Sequence, residues 1–260
     1  MNAHAKPGPE IVVPRRIIAG VAVAALRQAE AIALLQQRLK HRHFTRVGFL
    51  NAHISNIACA DGRLMAALAD FLVLPDGVGV DVASKILYAE PFPDNLNGTD
   101  FVPALLKATG RSLSVGLLGA TPENVSGATK ALATMAPQHR FHLISDGFYS
   151  PLDEPRILAD LARIRPDILL VAMGVPKQEL FIAQRIMAEH TTMPFAVGAL
   201  FDFLSGAVPR APLWMRDMRM EWLFRLAIEP GRLWRRYILG NPVFLIHVMR
   251  QKLTGAWSTP

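Results

Sequence analysis

Short apolar runs and helically patterned stretches take turns along this chain five or six times, with no low-complexity linker between them. FTRVGFLNAH (44–53), FLVLP (71–75), SLSVGLLGA (112–120) and PDILLVAMG (166–174) read as strands, while HLISDGFYSP (142–151) and PFAVGALFDFL (194–204) read as strands running into loops. Between them, residues 54–71, 79–87, 101–110, 153–165 and 176–190 carry apolar positions at helical spacing, and a helix starts at Thr121 with Pro122 in its first turn. Strands alternating with crossover helices predict an α/β fold, a Rossmann-like, mostly parallel sheet covered on both faces. The run IIAGVAVAAL (17–26) after Arg15-Arg16 is shaped like a short secretion signal but continues directly into the amphipathic AEAIALLQQRLK (29–40). A strand or turn feeding a first helix is the better reading, with residues 1–12 a flexible tail and 13–209 the Rossmann-like body.

The charge is unevenly placed. The chain carries 28 Lys and Arg against 21 Asp and Glu, and the segment from Arg210 to Lys252 holds nine of those bases and only three acids, which is +6 of the formal +7. The basic character therefore belongs to a C-terminal appendage, residues 210–260, and phosphate in some form is its expected partner. Trp214, Trp222, Leu226, Trp234, Tyr237 and Ile238 interleave with the arginines. That pattern fits a helix lying on an anionic membrane surface, and equally one packing an apolar stripe on the body with solvated arginines. No nucleic-acid motif accompanies the charge, so nucleic acid is not an expected partner. No run approaches the roughly 18 apolar residues needed to cross a bilayer. A single cysteine, Cys59, excludes an internal disulfide framework and fits a reducing, cytoplasmic setting.

In a parallel sheet, ligands gather at the carboxyl ends of the strands. Gly119-Ala-Thr-Pro-Glu and Gly174-Val-Pro-Lys-Gln each put a glycine at a strand end before a helix N-terminus, where free backbone N–H groups suit a phosphate. Glu123 in the first loop would repel a diphosphate, whereas the second offers Lys177 and Gln178. Ordinary strand-to-helix turns explain both equally simply. Neither completes the GxGxxG or GxxxxGK[ST] patterns, which weakens a dehydrogenase or nucleotide-hydrolase reading. Asp76 in LPDGVGV would stand at the sheet's edge as a general base or merely make the Asp-Gly turn; Asp202 in GALFDFLSG poses the same choice. His53 follows Asn51 at a strand end, while His41 and His43 sit in a polar stretch. There is no Asp-x-Asp, HExxH or Gly-x-Ser-x-Gly sequence, so no metal or serine nucleophile is expected.

Taken in order, NAHISN, LVLPDGVGVDVASKIL, NGTDFVPAL, VGLLGATPE, DGFY, ILLVAMGVPKQE, VGALFDFLSGAVPRAP and EWLFRLAIEPGRLWRRY resemble the WecG/TagA/CpsF glycosyltransferases over roughly residues 17–237. The resemblance implies an inverting, metal-independent transferase without a cofactor. Such an enzyme moves a sugar from a UDP-sugar to a polyprenyl-diphosphate-linked acceptor at the inner face of the bacterial cell membrane, where it is peripheral. It implies a catalytic base at Asp76, donor contacts at Asn51, Gln178 and Asp202, and diphosphate-binding arginines at approximately Arg225, Arg232 and Arg235. His53, Asn97 in NGTD, Gly119, Gly174 and Lys177 complete the expected substrate-binding set. Phe49 departs from the family pattern, standing where some members carry a threonine that contributes to catalysis. The FLNAH variant resembles the exopolysaccharide branch, so glucose is as consistent a donor sugar as N-acetylmannosamine or its uronic acid. A non-catalytic nucleotide-sugar or phosphate-binding module and a homo-oligomer stay open.

Overall fold

The computed structural model of the chain describes residues 13–256 apart from Leu213, Arg216, Asp217 and Arg219. The expected tail at 1–12 and three charged residues of the basic segment, Arg216, Asp217 and Arg219, lie outside the described residues.

Eight strands form one sheet in the order β1-β2-β4-β3-β8-β7-β5-β6. They are β1 (Arg15–Ile18), β2 (Val21–Ala24), β3 (Arg46–Leu50), β4 (Phe71–Pro75), β5 (Ser114–Gly119), β6 (Arg140–Ser145), β7 (Ile168–Ala172) and β8 (Met193–Ala196). Only the β1–β2 hairpin is antiparallel; Val23 registers with Val73, Val47 with both Leu72 and Phe195, and Leu170 with Leu117 and Phe195, all in parallel. The α/β class expected from the alternation is the one observed. The run at 17–26 makes the hairpin, turning at Ala19 and Gly20, both at positive φ.

Strand side chains alternate between two cores, as the period of two requires. Phe49, Leu72, Leu74, Leu117 and Leu170 face one layer, built from α1 (Gln28–Lys40), α5 (Gly98–Ala108), α6 (Pro122–Met135) and the short α9 (Leu200–Leu204). Leu50, Phe71, Val73, Leu118 and Val171 face the other, built from α2 (Ala52–Ala60), α3 (Gly62–Ala69), α4 (Val78–Tyr88), α7 (Glu154–Ile164) and α8 (Lys177–Arg185). β3 leads into α2 on one face and its neighbour β8 into α9 on the other. Loops that part in this way open a crevice at the strands' carboxyl ends.

Two helical stretches differ from their sequence reading. Residues 54–71 form two helices, because Asp61 takes extended backbone and its carboxylate accepts the Arg63 N–H, starting α3. The stretch 176–190 ends at Arg185, where Ile186 turns extended and buries completely.

The C-terminal segment is not a free appendage throughout. Beyond α10 (Glu221–Ile228), α11 (Pro230–Trp234) and a wide helical turn at Arg235–Leu239 comes α12 (Gly240–Thr254). Phe244 and Val248 of α12 belong to the second core, and Gln251, itself buried, accepts the Ala19 N–H and donates to the Ile17 carbonyl of the hairpin. Residues 220–239 thus form a strap, and α12 fastens its far end to the body.

Candidate active site

Two cavities meet at the carboxyl edge of the sheet. The first, about 350 Å³, lies in the crevice between β3 and β8; the second, about 590 Å³, opens between α4, α5 and the strap. Asn51, His53, Asp76, Thr99, Phe203, Arg225 and Arg236 line both and form the junction.

The local sequence fixes the junction. Asn51 ends β3 and caps α2: its Oδ1 accepts the Ile54 N–H at 3.1 Å, so its amide nitrogen is turned toward Asp76 and donates to Oδ2 at 2.9 Å. Asp76 follows β4 and gives its own N–H to the Leu50 carbonyl; Gly77, at φ +91°, makes the turn and donates to Asn95 Oδ1 at 2.8 Å. The Asp76 residue keeps some exposure on the cavity wall, yet protein encloses its carboxylate, and that burial pushes its pKa up. The Asn51 hydrogen bond and the charges of Arg236 and Arg225 act the other way, and Asp100 adds to the rise. A carboxylate with one amide donor and a raised pKa is suited to taking a proton from a hydroxyl. Burial, with Arg236 nearby, lowers His53 to about 4, so its imidazole is neutral at neutral pH.

The opposite wall of the first cavity comes from β7 and β8. Gly174, at φ +75°, and Val175 present backbone there. Gln178 accepts the Gly198 N–H at 3.1 Å and donates to Glu179 at 2.8 Å, joining the two loops. Burial raises Glu179 to about 7. Asp202 accepts from Asn124 Nδ2 at 2.7 Å and faces the same space. Across the mouth lie Arg225, Arg232 and Arg236. The Nε atoms of Arg225 and Arg236 are buried without a hydrogen-bond partner, and burial lowers the Arg236 pKa. Buried guanidinium donors left unpaired around a cavity suit an anion with several oxygens. Among the described residues, no three His, Cys, Asp or Glu side chains cluster as a metal site requires.

Most of the expected residues come together here. Asn51, His53, Asp76, Gly174, Gln178, Asp202, Arg225 and Arg232 line the first cavity, and Asn97, which caps α5 by accepting the Asp100 N–H at 3.0 Å, lines the second. Three expected residues line neither. Lys177 turns outward over the Tyr149 ring, donating to the Gly147 carbonyl at 3.3 Å. Gly119, at φ +121°, is needed for close packing, because a Cβ there would stand 2.2 Å from the Ala172 carbonyl oxygen; its neighbour Ala120 reaches the cavity instead. Arg235 is exposed and stacks on Trp234, while Arg236 takes the inward place. Spacing alone does not separate the two, since 235 and 236 lie three and four residues beyond Arg232, and the chain leaves the helix at Glu229 between 225 and 232. Phe203 and Thr99 also line the cavities without having been singled out, and Trp222, read from the sequence only as part of the apolar stripe among the arginines, lines the second.

The sequence profile of the Glycosyl transferase WecG/TagA/CpsF family matches residues 16–257. The chain belongs to this family. It is a glycosyltransferase, and similar proteins bear activity names that agree. An N-acetylglucosaminyldiphosphoundecaprenol N-acetyl-beta-D-mannosaminyltransferase of Bacillus subtilis (strain 168) is 31% identical over 208 residues, 79% of each chain. One of the same name from Staphylococcus aureus (strain NCTC 8325 / PS 47) is 30% identical over 181 residues, 69% of each chain. No helix among the described residues of this transferase is long and apolar enough to cross a membrane.

Proposed function

We propose that this transferase moves a sugar from a UDP-sugar to a polyprenyl-diphosphate-linked saccharide, inverting the anomeric carbon and using no metal. The observation that carries the reading is the position of Asp76 where the two cavities meet, facing three arginines. The donor enters the first cavity, its diphosphate against Arg225, Arg232 and Arg236 and the backbone at Gly174, its uridine toward Asp202. The acceptor sugar enters the second. Asp76 removes the acceptor hydroxyl proton as that oxygen bonds to the anomeric carbon, and the carbon–oxygen bond to the diphosphate breaks in line, releasing UDP. The arginines take up the charge developing on the leaving group, the task a divalent ion would otherwise perform.

The relatives' names favour a diphosphate-linked N-acetylglucosamine acceptor and N-acetylmannosamine as the transferred sugar; glucose and N-acetylmannosaminuronic acid belong in the same panel. A peripheral position on the cytoplasmic face of the membrane fits the C-terminal segment, where Trp214, Trp234, Ile238, Ile246 and Leu253 are exposed, as is Arg235. The test is UDP release from a panel of UDP-sugars with a lipid-diphosphate-linked N-acetylglucosamine acceptor, with and without EDTA. Turnover that EDTA leaves intact is expected. Loss with EDTA, restored by a divalent ion, overturns the metal-free mechanism. UDP-sugar binding without transfer to any acceptor would favour a non-catalytic binding module.

A further inference from the structure

Four residues in the motifs quoted above have no part in the mechanism as stated, yet they converge on one point. Arg210 leaves the body just before the strap and lines neither cavity. Its Nη2 lies 2.9 Å from Asp100 Oδ1 at the start of α5, and its Nε 3.1 Å from Glu221 Oε1 at the start of α10. Its guanidinium also lies 5.3 Å from the centre of the Phe203 ring, and the Arg225 guanidinium lies 5.2 Å from that same ring. Phe203 thus has a cation from the body's exit and a cation from the strap against one aromatic ring, and two carboxylates from different elements hold the first of them.

We propose that Arg210, through Asp100, Glu221 and Phe203, is a positioning residue that holds α10 against the body and sets the Arg225 guanidinium at the cavity mouth. Without it, α10 keeps its helix but loses its ion pair to the body, and Arg225 loses the ordered ring on which it rests. Isolated surface ion pairs stabilise little, but here the side chain that both acids share is about three-quarters covered. An arginine can meet two carboxylates and a ring at once because its planar fork offers separate edges and a face; a lysine offers one point charge.

The inference rests on the reading of Arg225 as a diphosphate contact, and the test separates the two. UDP affinity is measured by titration calorimetry, and donor KM and kcat by turnover, for Arg210→Gln, Arg225→Gln and the double variant of the full chain. If Arg210 acts through Arg225, each single change weakens UDP binding about tenfold and the double change is no worse than Arg225→Gln alone. Wild-type UDP affinity in Arg225→Gln overturns the site reading itself. Losses that multiply in the double variant, or an Arg210→Gln protein that binds UDP like wild type, overturn the positioning role alone. Should Arg210→Gln fail to fold, Arg210→Lys decides: it keeps the charge but not the planar fork, so UDP affinity should still fall several-fold, whereas wild-type affinity refutes the positioning role.

Discussion

Asn51 holds Asp76 by a 2.9 Å hydrogen bond from its amide nitrogen, and it can do so in only one orientation because its oxygen is committed to the first turn of α2. The end of β3 therefore orders the side chain at the end of β4, and the parallel pairing of Leu50 with Pro75 brings the two ends level. Removing the carboxylate charge at this point should stop the chemistry and spare the scaffold. Asp76→Asn is expected to lower kcat roughly 10²–10⁴-fold while calorimetry still records UDP binding. A variant with wild-type turnover removes Asp76 from the mechanism.

Arg236 and Arg235 are neighbours in sequence with different surroundings, which makes them a matched pair for testing the diphosphate site. Arg236→Gln should weaken UDP binding by about tenfold or more, the worth of a charged hydrogen bond, while Arg235→Gln changes it less than about twofold. The Arg236 charge also holds the Asp76 pKa down against burial. Its loss should move the acid limb of the pH profile of kcat/KM to higher pH, since the base then stays protonated further up the scale. A limb that does not move in Arg236→Gln would separate Arg236 from the base.

The alternation of strands and helices, the two helical layers and the loops that line the cavities were legible in the sequence because they follow from period and from strand ends, which are local properties; the strand order, set by pairing between distant segments, was not. Lys177 was not legible: the loop's backbone reaches the cavity, but the side chain goes to Tyr149 and Gly147, a contact from a loop thirty residues away in the chain. The hidden role of α12 had the same cause. Its apolar residues read equally well as a membrane face, and only the packed fold shows Phe244 and Val248 inside and Ile246 and Leu253 outside. Arg236 was not legible either: Arg235 and Arg236 are both within a helical turn of Arg232, and the wide turn at Arg235–Leu239, which decides which of the two faces inward, comes from the packed fold.

Phe49 and Gly98 are fitted to each other. A Cβ on Gly98 would lie 2.9 Å from Cε2 of the Phe49 ring, so the bulky residue on β3 requires a bare backbone at the start of α5. Gly98→Ala should cost about 1–3 kcal/mol by overpacking and raise the donor KM, since both residues line the first cavity. Phe49→Thr is itself costly because it removes a buried ring, but in that background Gly98→Ala should add much less destabilisation than it does in the wild type. Additive destabilisation in that pair, read from denaturant melts, would show that the ring is not what alanine meets.

Glu179 links the site to stability. Its pKa rises from 4.5 to about 7 on burial, so the folded state holds the proton more tightly than the unfolded chain does. Folding stability from this group is then complete below about pH 4.5 and declines as pH rises to about 7, by roughly 3 kcal/mol at most. Glu179→Gln removes the titration and can still accept from Gln178. Its stability relative to wild type should climb between pH 4.5 and 7 in denaturant melts and level off above; a constant difference across that range would mean that Glu179 does not titrate there.

The two faces of α12 separate folding from membrane attachment. A cut after Ala211 removes Phe244, Val248 and Gln251 from a packed core and from two hydrogen bonds to the hairpin. Loss of a buried phenylalanine alone costs about 3–5 kcal/mol, so the truncated body should melt well below the full chain or fail to fold. The informative change is among exposed apolar side chains: Ile246 and Leu253 of α12 and Ile238 of the turn before it, replaced together by serine, leave the core untouched. That variant should melt like wild type, retain UDP binding and lose sedimentation with vesicles containing anionic lipid. If it still sediments, attachment resides elsewhere on the surface.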